Sequence, residues 1–282
     1  MSLAPKSHRV VVYHQTHRIG GHQVPVASLA RHGATHLIVA AVHIGDDRRV
    51  VVNDHEHTHP YHDGLWREVA GVQDSGLPVL AMVGGWAPGT IDKLDGAMFR
   101  EFYPLLRDFL REHRFDGIDI DVEQPMSLDG VTGLIDAVRA DFGPDFLVVL
   151  APVGTALSGG ENLSGFDYDE LYRRRGDEID FVNVQFYSGY GSLATAAGYD
   201  EIVARGVYPP DKLVAGVIGH PEDGAGWVDP YEVARTVKEL GSRYPNFGGV
   251  DVWEYFRALP GGRDAPWRWV DEMSGALALA SR

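Results

Sequence analysis

The chain has 282 residues, of which 44% are hydrophobic, and a formal net charge of −15. That is enough apolar content for a large core and too much for a disordered chain. The acidic balance disfavours nucleic acid and anionic membranes as partners and suits a neutral or cationic ligand. The absence of cysteine excludes disulfides, thiol nucleophiles and thiolate metal sites.

Residues 1–9 are polar and lack an apolar run, so no signal peptide is expected in the chain as given, and the native compartment is left open. No window approaches a membrane span. Strands and helices then alternate. A branched run predicts a strand at 10–13, with Tyr13, His14, Gln15 and His17 around its end as candidate ligand contacts. Residues 24–32 are expected to form a helix stopped by Gly33. A buried strand follows at 36–43. The polar stretch after it holds His55, His57, His59 and His62. Four histidines this close suit zinc or nickel, but Pro60 breaks regular geometry. The expectation is a solvated loop that binds metal only adventitiously. A helix is predicted at 65–74 and a strand at 78–83, ending in Gly84-Gly85 and Trp86. Such a glycine pair lets a ligand or neighbouring backbone approach closely, although an ordinary turn also uses it.

A helix at 99–113 carries Leu105, Leu106, Phe109 and Leu110 on one side. The most informative stretch follows, at 115–123. Read with period two, Ile118, Ile120 and Val122 fall on one face and Asp119, Asp121 and Glu123 on the other. Three acids in one line, about 6–7 Å apart between successive Cα atoms, cannot all ionise cheaply where water is scarce. At least one is expected to hold or share a proton near neutral pH, which is how a carboxyl group is kept as a proton donor. The competing reading is a solvated strand face. The branched apolar opposite face argues against it.

Then come a helix at 128–142, a strand at 146–153, a weaker helix at 167–175 and a strand at 179–187. A helix at 194–205, a strand at 213–218, a helix at 231–244 after Asp229-Pro230, a strand at 249–255 and a helix at 266–277 complete the chain. Eight strand-then-helix units predict an α/β fold, a single (β/α)8 barrel over residues 1–282, with its chemistry at the carboxyl ends of the strands. The alternative, a doubly wound open sheet, usually shows a glycine-rich phosphate loop after an early strand, and none is present. In the sixth strand Asn183, Gln185 and Tyr187 share a face, either to bind a polar ligand or to form a satisfied internal network. In the eighth, Trp253 is either a floor for a ligand or a core tryptophan.

Asp116-x-x-Asp119-x-Asp121-x-Glu123 resembles the signature of glycoside hydrolase family 18, which contains chitinases and endo-β-N-acetylglucosaminidases, and the resemblance extends over nearly the whole chain. It implies that Glu123 protonates the glycosidic oxygen and later activates water. The substrate's own N-acetyl oxygen, in place of a second carboxylate, then attacks the anomeric carbon. By the same resemblance Asp121 stabilises the oxazolinium-like group, Asp119 tunes Asp121 by sharing a proton, and the Tyr187 hydroxyl holds the acetamido group. Gln185, Trp253, Asn183, Gly84, Gly85 and Tyr13 are the expected substrate contacts, with Trp253 as a floor. No metal and no cofactor is expected. The expected partner is an N-acetylglucosamine-containing oligosaccharide or an N-glycoprotein, bound by a monomer without nucleic acid or membrane.

Segments 121–127, 139–145, 150–153, 163–167 and 253–256 are similar to those of small fungal-type endo-β-N-acetylglucosaminidases of the family. The stretch 219–246 is too short for the α+β insertion that deepens the groove of many processive chitinases, so no large insertion domain is expected. The expected activity is cleavage of the N,N′-diacetylchitobiose core of N-glycans. A small endochitinase is the alternative within the family. A catalytically inactive lectin-like barrel is the alternative of another class, with the presence of Glu123 against it, and a metallohydrolase is more distant.

Overall fold

Eight runs of branched and apolar residues form the wall of a closed barrel in the structure, a computed structural model that describes residues 8–280. Most of the amino-terminal stretch expected to lack a signal peptide lies outside the described residues. The wall strands are β1 (Arg9–His14), β2 (His36–Ile44), β3 (Val79–Gly84), β4 (Gly117–Asp121), β5 (Leu147–Leu150), β6 (Phe181–Gln185), β7 (Leu213–Ile218) and β8 (Gly249–Trp253). Each pairs in parallel with its sequence neighbour, and β1 pairs with both β2 and β8, which closes the cylinder. At the seam Arg9, Val10, Val11 and Val12 stand opposite Gly249, Val250, Asp251 and Val252.

Seven helices of eight or more residues surround it among the described residues. They are α1 (Asp63–Asp74), α2 (Phe99–Glu112), α3 (Leu128–Phe142), α4 (Tyr168–Arg175), α5 (Ala197–Ala204), α6 (Pro230–Arg243) and α7 (Trp267–Ala280). None is long and apolar enough to cross a membrane. Several starts are capped by side chains. The Ser127 hydroxyl accepts from the Gly130 amide, Asp167 accepts from the Asp169 and Glu170 amides, and Asp229 accepts from Tyr231 with Pro230 in the first turn.

The period of two sorts the core into two layers. Val10, Val12, Ile118, Ile120, Val250 and Val252 face outward and pack with helix residues such as Leu106, Leu110, Leu134 and Val237. Val11, Ile38, Leu80, Val149, Phe181 and Val214 face inward and fill the barrel. From β7 to β8 the chain makes only a loop and α6, with no inserted domain.

Two segments differ from their sequence expectation. The helix expected at 24–32 is an extended entry followed by a single 3-10 turn at Leu29–His32, closed by Gly33 at φ 90°. Pro25 disfavours the helical region for Val24. The Glu68 carboxylate accepts from the Val26 and Ala27 amides at 2.9 and 3.1 Å, which gives those donors a partner outside any helix. The stretch after β2 is also more than a loop. Val50–Val52 runs antiparallel along the end of β2, and His55–Glu56 adds to it in turn.

Candidate active site

The inner face of β4 carries Asp119 and Asp121, and Glu123 follows two residues beyond, just past the strand. Asp119 and Asp121 are buried and Glu123 is half-buried. The β3–β4 register places Met82 beside Asp119 and Gly84 beside Asp121. Gly84 has φ 103°, and a Cβ there would lie 2.2 Å from the Asp121 carbonyl oxygen, so the position requires glycine. The Gly85 amide donates to that same carbonyl at 2.8 Å, and Gln124 Nε2 donates to the Gly85 carbonyl at 2.6 Å. These contacts tie the end of β4 to β3 and fix where the carboxyl groups emerge.

Gln185, at the end of β6, reaches across with its amide nitrogen. Nε2 lies 2.9 Å from the Ala151 carbonyl, 3.2 Å from Glu123 Oε1 and 3.3 Å from Asp121 Oδ1. One nitrogen with two hydrogens faces three acceptors, so its donor capacity is divided between the two carboxyl groups. Deeper in the barrel the Tyr13 hydroxyl donates to Asp119 Oδ2 at 2.8 Å, and Asn183 Nδ2 donates to the Tyr13 oxygen at 2.7 Å. A fourth inward acid, Asp251, comes from β8. Asp119 Oδ1, Asn183 Oδ1 and Asp251 Oδ2 have no hydrogen-bond partner among the described residues.

Burial raises all four carboxyl pKa values. Asp119 is pushed up to about 7 by burial, against the opposing pull of the Tyr13 hydrogen bond. Asp121 rises well above the usual range through burial, with the charges of Glu123 and Asp119 adding. Glu123 also rises through burial, and the Gln185 hydrogen bond holds it back. Asp251 rises well above through burial and then through Asp119. The Tyr187 hydroxyl is raised well above its ordinary value by burial, and the acid charges nearby add to this, so it is a stable donor at neutral pH.

A cleft of about 580 Å³ opens over this floor. Of the residues the sequence singles out, Glu123, Asp121, Tyr187, Gln185, Trp253, Gly84 and Gly85 line it. Trp253 meets Tyr13 edge-on, with ring centroids 5.5 Å apart. Trp86 stands at the rim and is 79% exposed. Two expected substrate contacts are corrected. Tyr13 and Asn183 are buried beneath the cleft and do not line it, and the Tyr13 hydroxyl and Asn183 Nδ2 belong to the chain that ends on Asp119. Gln15 reaches the cleft, whereas His14 and His17 are buried elsewhere. Sequence reasoning passed over Asp251, although it sits two residues before Trp253 on the same face. His43, Leu163, Tyr190 and Asp223 also line the cleft and are not among the residues singled out from the sequence.

A model of the glycosyl hydrolases family 18 matches residues 9–218. The chain belongs to glycosyl hydrolase family 18. Among solved structures, a fungal endo-β-N-acetylglucosaminidase of family 18 is 43% identical with a TM-score of 0.91, over 95% of this chain and 98% of that one. The chitinase ChiC from Aspergillus fumigatus is 41% identical with a TM-score of 0.87, over 96% and 99%. Among curated relatives, Chitinase 2 of Rhizopus oligosporus is 27% identical over 216 residues, which is 69% of this chain and 37% of that protein. Endochitinase 4 of Metarhizium robertsii is 24% identical over 230 residues, covering 67% and 66%. This family 18 chain thus matches a little over a third of the first relative's length and about two thirds of the second's. The family 18 match ends at the last residue of β7, so it takes in Asp119, Asp121, Glu123, Gln185 and Tyr187 but not Asp251 or Trp253.

Proposed function

We propose that the chain is an endo-β-N-acetylglucosaminidase that cleaves the β-1,4 bond between the two N-acetylglucosamine residues of an N-glycan core, with retention of configuration. One observation carries the reading. Glu123, half-buried and sharing the Gln185 amide with buried Asp121, stands in the floor of a cleft that no insertion between β7 and β8 walls in. An open cleft of this kind suits a branched, uncharged glycan, and the net charge of −15 puts nothing in its way.

In this reading the reacting sugar rests on Trp253. Glu123, whose hold on its proton burial strengthens, gives that proton to the glycosidic oxygen as that bond breaks. The acetamido oxygen of the same sugar attacks the anomeric carbon from the other face and closes an oxazolinium ring. Asp121 balances the positive charge, and Tyr187 donates to the acetamido oxygen. Asp119 sets the charge on Asp121 from below. Glu123, now a carboxylate, takes a proton from water as the water opens the ring at the anomeric carbon. Two inversions give net retention. Neither a metal nor an organic cofactor enters any step, and the chain is taken to act as a monomer.

A small endochitinase is the second reading, favoured by the 41% identity to a chitinase over nearly the same span. A high-mannose glycoprotein and chitin oligomers, offered separately to the purified chain, distinguish the two. Release of glycans from the glycoprotein is expected. Cleavage of the oligomers alone assigns a chitinase, and cleavage of neither leaves a sugar-binding barrel. Glu123→Gln is expected to abolish turnover while the variant still binds sugar, and a variant that stays active sinks the mechanism.

A further inference from the structure

Outside the cleft, three side chains able to ligate a metal come together from two distant segments. His57 follows the short strand His55–Glu56, whereas Glu112 and His113 lie at the end of α2. His57 Nδ1 and His113 Nε2 are 3.0 Å apart, and one ligand atom from each of His57, Glu112 and His113 lies within 4.8 Å of the others. None of the three lines the cleft.

Both imidazole rings are already held in place. Trp66 stacks on His113 with centroids 3.7 Å apart and planes 22° apart, and Phe109 meets His57 edge-on at 5.2 Å. Trp66 Nε1 donates to the His57 carbonyl at 2.8 Å, and Gln73 Nε2 donates to the His113 carbonyl at 3.1 Å. Glu112 is exposed at the helix end, where its carboxylate can turn toward the pair. Two imidazole nitrogens bound to one tetrahedral zinc stand roughly 3.3 Å apart, close to the separation here. A hydrogen bond between the two histidines accounts for the pair, and the carboxylate within reach of both is what would complete a ligand set.

We propose that His57, His113 and Glu112 form a site for a divalent transition metal of the zinc type, with water as the fourth ligand. Two imidazoles and one carboxylate are a ligand set that zinc takes. The ion ties the segment after His55–Glu56 to the end of α2 and takes no part in the hydrolytic steps. The histidine-rich stretch looked adventitious in the sequence because its partners lie outside it. Only His57 of that stretch contributes, and the other two ligands come from a helix end more than fifty residues away. The stacked rings of His55 and His59, with centroids 4.9 Å apart, are the rival site within the stretch itself.

The test uses the untagged full chain, stripped with EDTA and titrated with Zn²⁺ by calorimetry and by thermal melting. One Zn²⁺ per chain and a raised Tm are expected. His57→Gln and Glu112→Gln should each weaken binding at least about tenfold and lose the rise in Tm. The double variant His55→Gln/His59→Gln should keep both. Glu112 is exposed, so its variant is expected to melt like the wild type without zinc, which separates lost binding from lost folding. No saturable binding overturns the proposal, as does an affinity untouched by His57→Gln or one lost with His55 and His59. The hydrolytic rate should be the same with and without zinc, and a rate that collapses on stripping overturns the structural role.

Discussion

At the residue scale, four acids share one barrel interior, and their unequal surroundings set them apart. Asp119 accepts a hydrogen bond from the Tyr13 hydroxyl, whereas Asp121 and Glu123 share a single amide group. Of Asp119 and Asp121 on β4 and Glu123 just past it, Glu123 alone is half-buried, so it is the one with access to a leaving group. Gln185 acts on the acidity of the proposed proton donor against the larger effect of burial. Burial raises Glu123 and the Gln185 hydrogen bond lowers it. A general acid works while protonated, so its rate falls as pH rises through its pKa. In Gln185→Leu the lowering influence is gone, so the basic limb of the pH–rate profile is expected to move to higher pH. The maximal rate should also fall, by roughly a hundredfold, a typical cost of losing one aimed donor. A limb that stays in place, or moves to lower pH, means that Gln185 does not act on the ionisation that limits turnover.

At the element scale, the site depends on how β3 and β4 end. Gly84 sits beside Asp121 in a conformation that L side chains rarely adopt, with the Asp121 carbonyl where a side chain would begin. Gly84→Ala is expected to lower stability by about 2 kcal/mol from backbone strain alone. Activity should fall further than folding does, because relief of the clash shifts the strand that carries the acids. Urea unfolding followed beside initial rates checks both, and an alanine variant with wild-type stability and rate removes the clamp from the account. The acid line of β4 was readable in advance because one strand holds the whole pattern, and period two needs no distant information. The helix expected at 24–32 failed because the decisive contact, the Glu68 carboxylate on two of its amides, comes from a residue about forty positions on. Tyr13 and Asn183 were misplaced for a related reason. Period two shows that they point inward, but not how deep they lie, and depth is what assigns them to Asp119 instead of the cleft. Period two puts Asp251 on the inward face with Trp253, but its place beside Asp119 in the barrel interior is set by the closure of β8 on β1, which the local pattern does not contain.

At the scale of the whole molecule, two sets of buried titratable groups pull stability in opposite directions as pH changes. Burial raises the folded pKa of Asp119 to about 7 from the ordinary carboxylate value of 3.8. Between those values the folded chain holds a proton that the unfolded chain releases. Its stabilising contribution is complete below the unfolded value and is lost as pH rises through about 7. His17, His36 and His113 behave in the opposite sense. Burial lowers each to about 4, so below the ordinary histidine value the unfolded chain binds protons that the folded chain refuses. Their contribution is complete above about 6.5 and is lost as pH falls toward 4. The optimum lies where the two slopes cancel. In Asp119→Asn the histidines keep their slope while one opposing acid is gone, so the pH of maximum stability should move upward and the decline near pH 7 should flatten. The Tyr13 hydroxyl can still donate to the asparagine carbonyl oxygen, which preserves the packing. Denaturant unfolding across pH measures this best at high salt, where screening suppresses the repulsion of a surface with net charge −15 and leaves the buried groups little affected. An optimum that stays in place in the variant means that Asp119 is ionised in the folded protein well below pH 7, and the interior then holds its proton on another of the four acids.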